Sequence, residues 1–315
     1  MNIDQSQSSF LFLVLVFCVD LTRSDVLPYD TIVCFGDSTT DTGNVYNLTD
    51  HRWPLSTYYS GRFADGPIWV DRLNIPNSLN YAYGSATTDN NLVLGMLTDF
   101  NKTVPGVRQQ ISLYRNMTDM SKVMLSRTLY AIWIGANDYF YNMNLNASTV
   151  VKSLTNGIND LIGIGANKFL IINQPSFQLY PGTSIFNMNN YFNALTIQHN
   201  GNLSDSIQSL RQNFPNISFY LLDVYSLIQE IVANSSRFGI TNLTNCWSTY
   251  NLTVTPVCTN ASTFLFIDEY HFTTRVHQLI ADRARNLLST SNGIILSPLR
   301  LNIIIVSIML LKNFI

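Results

Sequence analysis

Five short strand-like runs constrain the fold of this chain: Thr31–Phe35, Asn80–Tyr83, Leu129–Ile134, Lys168–Asn173 and Ile217–Leu222. Most are near-continuously apolar. A strand with one wet face alternates apolar and polar residues, so an unbroken apolar strand needs cover on both faces, as in a parallel sheet. The segments between the runs supply that cover. Ala147–Ala166, Tyr191–Asn213 and Thr274–Leu288 read as helices, and Pro67–Leu73 as a short one with proline near its start. Strand–helix alternation predicts an α/β fold, a doubly wound sheet with right-handed crossovers. At 315 residues, 46% of them hydrophobic, the chain is long enough to bury a large core in one domain, or at most two.

In such sheets chemistry gathers beyond the carboxyl ends of the strands. The first run stops at Gly36-Asp37-Ser38, where a serine on a tight turn is placed either as an exposed nucleophile or simply as a turn and cap residue. The second stops at Gly84, which serves as a turn glycine or leaves a backbone N–H open to a ligand oxygen. The third stops at Gly135-Ala136-Asn137-Asp138, where the Asn137 amide is a turn residue or a donor aimed into the strand-end cleft. Asp268-Glu269-Tyr270-His271 precedes the last helix, and an Asp and His three apart in a turn can meet side chain to side chain. Of the other histidines, His51 is a further candidate base, His199 in a long amphipathic helix reads as structural, and His277 reads as solvent-facing. The histidines are scattered, with no H-E-x-x-H or paired C-x-x-C, and no glycine loop fits a phosphate-binding fingerprint. A net charge of −2 without like-charge runs gives no case for nucleic acid.

Both ends read as processing signals. Phe10–Val19 is a short apolar run followed by Thr22-Arg23-Ser24, the pattern of a signal peptide over residues 1–24. Residues 293–315 form an apolar tail after small residues and a spacer, the order of a lipid-anchor attachment signal; a membrane helix and a core helix are the rivals. Asn-x-Ser/Thr sequons begin at Asn47, Asn101, Asn116, Asn146, Asn202, Asn216, Asn234, Asn242, Asn251 and Asn260, which suits a glycosylated, secreted or surface-anchored protein. Cys246 and Cys258 flank a polar loop and can pair in an oxidising compartment, while Cys34 reads as a small core residue.

The order Phe35-Gly36-Asp37-Ser38, Gly84, Gly135-Ala136-Asn137-Asp138, Asp268-x-x-His271 resembles the GDSL, or SGNH, hydrolase family. The resemblance covers nearly all of residues 25–292. Gly61–Val70 and Tyr81–Asn90 look like a subgroup of secreted fungal-type members that includes carbohydrate acetylesterases and lipase-like enzymes. The resemblance implies a three-layer α/β/α sandwich on a five-stranded parallel, flavodoxin-like sheet and no cofactor. It implies Ser38 as nucleophile, His271 as general base, Asp268 as its orienting acid, and an oxyanion hole from the Ser38 N–H, the Gly84 N–H and the Asn137 side chain. Two positions depart from the family pattern: Thr39 stands where the family name has Leu, and Ser85 where a second glycine is common. The implied function is a secreted serine esterase acting on small acyl groups such as acetate on carbohydrates. A lipase or phospholipase acting on longer chains and an inactive glycosylated surface protein are the alternatives.

Overall fold

The computed structural model of the chain describes residues 26–250 and 252–290. The signal-peptide and tail assignments, and Asn251, lie outside the described residues.

The sheet is built from β1 (Thr31–Gly36), β2 (Asn77–Asn80), β3 (Thr128–Trp133), β4 (Lys168–Ile172) and β5 (Ser218–Leu222). All neighbours are parallel, in the order β2-β1-β3-β4-β5. This is the expected fold class, a five-stranded parallel sheet between helical layers. Because side chains alternate along a strand, each strand feeds two cores. Ile32 and Cys34 of β1 join Leu129, Ala131 and Trp133 of β3 in one core, closed by α6 (Val224–Ala233) and α7 (Thr274–Thr290). Val33 and Phe35 join Tyr130 and Ile132 in the other, closed by α2 (Val107–Met117), α4 (Ala147–Ile162) and the later turns of α5 (Asn189–Asn213). Phe35, Ile132 and Ile171 are fully buried, each contributing ~1.5–3 kcal/mol relative to exposure.

The second strand lies earlier than the sequence predicts, at Asn77–Asn80 rather than Asn80–Tyr83. It is one of the two sheet edges, and its residues stay largely polar and exposed. The apolar Tyr81 that suggested a strand packs its ring against Phe35 and Tyr114 instead. α1 (Asn44–Leu48) and α3 (Ala136–Tyr141) are short helices that follow the ends of β1 and β3.

The order places β2 on one side of β1 and β3 to β5 on the other, so the chain reverses its direction of winding between β1 and β3. The crevice at that reversal is where a doubly wound sheet presents ligands. Gly36 pairs with Trp133 across it, and a Cβ on Gly36 would lie 2.4 Å from the Trp133 carbonyl oxygen. Only glycine permits this approach. The buried Gln110 side chain completes the strand end, accepting from the Gly36 N–H at 2.9 Å and donating to the Gly36 carbonyl at 2.9 Å.

Candidate active site

The turn that carries Ser38 is fixed by its own carboxylates. Asp37 accepts from the Thr39 N–H at 3.0 Å and the Thr39 hydroxyl at 2.7 Å, so the threonine that departs from the family name closes this turn. Burial pushes the Asp37 carboxyl above the usual carboxylate range. Four residues further on, the buried Asp41 accepts from the backbone N–H groups of Gly43, Asn44 and Val45. Asn44 in turn donates to the carbonyls of Asn80 and Ala82. The serine turn and the segment after β2 are thereby one hydrogen-bonded unit.

Ser38 and the distant Asp268–His271 turn meet at the mouth of the crevice. Ser38 Oγ lies 2.7 Å from His271 Nε2, and His271 Nδ1 lies 2.7 Å from Asp268 Oδ2. Asp268 is 2% exposed and also accepts from the backbone N–H groups of Tyr270 and His271, each at 2.8 Å. Burial opposes ionisation of Asp268, but His271 and these donors outweigh it and hold the carboxyl below its ordinary range. Burial likewise opposes a charged His271, and the Asp268 carboxylate outweighs that, raising the imidazole above its usual value of 6.5. Phe63 lies against the imidazole, ring centroids 5.1 Å apart.

One sequence expectation is corrected. The Gly84 N–H does not face the crevice: it donates to Asp41 Oδ2 at 2.9 Å. Gly84 has a packing reason to be glycine, because a Cβ there would stand 2.6 Å from the Phe63 ring that backs His271. The next residue, Ser85, lines the crevice. It holds a left-handed φ of 68°, and its N–H meets no acceptor among the described residues. Asn137 also lines the crevice, with one amide N–H donated to the Ala86 carbonyl at 2.8 Å and the other left over.

His277 is a second correction. It is 1% exposed rather than solvent-facing, and its Nδ1 accepts from the Trp69 N–H at 3.3 Å. His199 is buried as expected of a structural residue, paired with the Tyr139 hydroxyl at 2.7 Å. Burial lowers both imidazoles to about 3. His51 is exposed and stacks on Tyr46. Cys246 and Cys258 form a disulfide. Among the described residues no His, Cys, Asp and Glu group could hold a metal ion, and no helix is long and apolar enough to cross a membrane.

The crevice beside Ser38 has a volume of about 340 Å³ and is walled largely by Trp53, Phe63, Phe140, Met143, Tyr180 and Tyr270. A serine within reach of a carboxylate-paired imidazole, at the reversal point of a doubly wound sheet and beside free N–H donors, defines the class of α/β/α hydrolases that perform acyl transfer. The sequence profile of the GDSL-like lipase/acylhydrolases matches residues 32–284. The chain belongs to that family, as the resemblance in its sequence implies, and is a carboxylic ester hydrolase. A GDSL esterase/lipase of Arabidopsis thaliana is 27% identical, covering 84% of this chain and 84% of that protein. A phosphatidylcholine-sterol acyltransferase of Aeromonas hydrophila is 25% identical over 75% of this chain and 71% of its own. Among solved structures, Est24, a carbohydrate acetylesterase from Sinorhizobium meliloti, is similar with a TM-score of 0.44 at 16% identity, covering 82% of this chain and 99% of that one.

Proposed function

We propose that this chain hydrolyses carboxylic esters through a covalent acyl-enzyme on Ser38. The observation that carries this reading is the unbroken hydrogen-bonded line from Ser38 Oγ through His271 to Asp268. His271 Nε2 takes the Ser38 proton as the oxygen attacks the ester carbonyl, and Asp268 stabilises the imidazolium that forms. The tetrahedral oxyanion is held by the N–H groups of Ser38 and Ser85 and the free N–H of Asn137. The alcohol leaves with the proton from His271, and water repeats the sequence to release the acid. A p-nitrophenyl ester series from acetate to palmitate tests the reading: hydrolysis by the intact chain is expected, and none at any chain length would sink it.

For the substrate, the reading is a small acyl group such as acetate carried on a carbohydrate. The likeness to the secreted fungal-type subgroup supports it, as do the aromatic faces of Trp53 and Tyr270 beside Ser38, against which a sugar ring can pack. The second reading, a longer acyl chain, is favoured by the crevice itself. Its volume exceeds what an acetyl group fills, and Phe140, Met143 and Tyr180 offer an apolar wall. The chain length of maximum kcat/KM in the same series separates the two.

The Ser85 assignment has its own test. The donor is main-chain, so Ser85→Gly should retain turnover. The left-handed conformation costs a residue with a Cβ about 1 kcal/mol or more, so the variant should also gain ~0.5–1 kcal/mol by thermal melting. Loss of turnover in a folded variant would place the role on the Ser85 side chain, which contacts Tyr141, rather than on its N–H.

Secretion and glycosylation belong to the same proposal. Of the described sequon asparagines, Asn47, Asn101, Asn116, Asn146, Asn216, Asn234, Asn242 and Asn260 are exposed and Asn202 is half-buried, which supports modification after export. Protein from a eukaryotic secretory host should lose mass on enzymatic removal of N-glycans; an unchanged mass would count against it.

A further inference from the structure

We propose that Tyr58 is a positioning residue for the proposed triad, its hydroxyl holding the Asp268 carboxylate that orients His271. The proposal rests on the ester-hydrolase mechanism above. The Tyr58 hydroxyl donates to Asp268 Oδ2 at 2.6 Å, from a residue 210 positions away in the chain. Asp268 Oδ1 is already fixed by two backbone N–H groups, and Tyr58 supplies the matching restraint on Oδ2. With both oxygens held, the carboxylate plane is set, and the imidazole that pairs with it is aimed at Ser38.

The tyrosine is itself held. It is 3% exposed, and its ring is walled by Trp53 at 6.0 Å, Phe63 at 6.2 Å and Trp247 at 5.1 Å. Trp247 begins the hairpin Trp247–Tyr250/Thr253–Pro256, next to the disulfide-bonded Cys246. That hairpin is tied to the strand entering the acid turn by Cys246 N–H to Phe266 carbonyl (3.1 Å) and Trp247 N–H to Ile267 carbonyl (2.7 Å). Glu269 accepts from the Thr249 N–H at 3.0 Å, joining the turn to the hairpin a second time. Burial and the neighbouring carboxylate push the Tyr58 phenol upward, so it remains a donor throughout the working pH range.

The other titratable groups around the Asp268–His271 pair are Asp37 on the serine turn, Glu269 and Tyr270 within the acid turn, and His277 on α7, which burial holds neutral. None is altered in Tyr58→Phe, which keeps the ring packing and removes only the donor. Neutral His271 is the working base, so kcat/KM of the intact enzyme should rise with pH through a midpoint above 6.5. In Tyr58→Phe the carboxylate keeps more of its negative charge for the imidazolium. The midpoint should therefore move higher still, and kcat should fall about tenfold with KM unchanged. In an Asp268→Ala background Tyr58→Phe should have no further effect, since no carboxylate then remains for the phenol to hold. A midpoint that stays put, or kcat losses that multiply in the double variant, overturns the proposal. Titration of the His271 ring protons by NMR gives the same midpoint without turnover. Absence of ester hydrolysis in the intact enzyme would defeat the mechanism, whereas an unshifted His271 midpoint would defeat the Tyr58 assignment alone.

Discussion

Replacing Ser38 by alanine is expected to lower kcat for ester hydrolysis by about 10⁶, the loss seen when a triad serine is removed from a serine hydrolase. The variant should melt at nearly the same temperature as the parent. The Ser38 hydroxyl is half-exposed, and its hydrogen-bond partner is His271 Nε2 rather than a core group. Losing that hydroxyl leaves Asp37, Asp41 and Gln110 to hold the turn as before. The measurement is steady-state turnover of p-nitrophenyl acetate and a long-chain ester, alongside a thermal melt. Retained turnover in a folded Ser38→Ala protein would remove the serine from the mechanism altogether.

His271→Ala should produce a fall of similar size, because members of a triad act as a unit and losing one costs nearly as much as losing all. The controls are the two buried histidines. His199 lies against Tyr139, and His277 receives the Trp69 N–H; neither is hydrogen-bonded to Ser38, His271 or Asp268. Replacing either with alanine should cost stability of about 1–3 kcal/mol through a buried group left unpaired, while turnover per folded molecule stays near that of the parent. Equal losses of turnover in all three variants would show that the measurement follows folding rather than chemistry.

Much of this fold is legible in the sequence because parallel strands buried on both faces must be apolar throughout. β1, β3 and β4 announce themselves in this way, and β5, an edge strand half-buried at Ser218, Tyr220 and Leu221, is still apolar after Ser218; all four lie within a residue of their observed bounds. The other edge strand, β2, does not announce itself, since one side of it faces water and its residues are Asn77, Ser78, Leu79 and Asn80. α2 and α6 bury one stripe each, yet the sequence reading does not single them out. Ser38, Asn137, Asp268 and His271 are visible because each follows a strand end or shares one short turn. Gly84 misleads because a missing side chain suggests an open N–H, whereas that N–H is held by Asp41 and the glycine makes room for Phe63. Tyr58 and Gln110 could not be seen at all. Each acts on a partner far away in the chain, and no local pattern marks a tyrosine or glutamine for that contact. His277 departs from expectation because a polar residue on an amphipathic helix is usually wet, and here it satisfies a buried backbone donor.

Cys34 sits on β1, fully buried, four residues before Ser38, and is the free thiol among the described residues. Burial raises that thiol far above its ordinary range, so it has almost no thiolate to offer a reagent while the sheet is closed. An alkylating label can therefore mark this cysteine only in molecules whose central strand has come apart. The rate at which the label accumulates then acts as a stopwatch for opening of the strand that carries the serine. It needs no dye, substrate or engineered probe, and it separates variants that damage the catalyst from variants that loosen the frame beneath it.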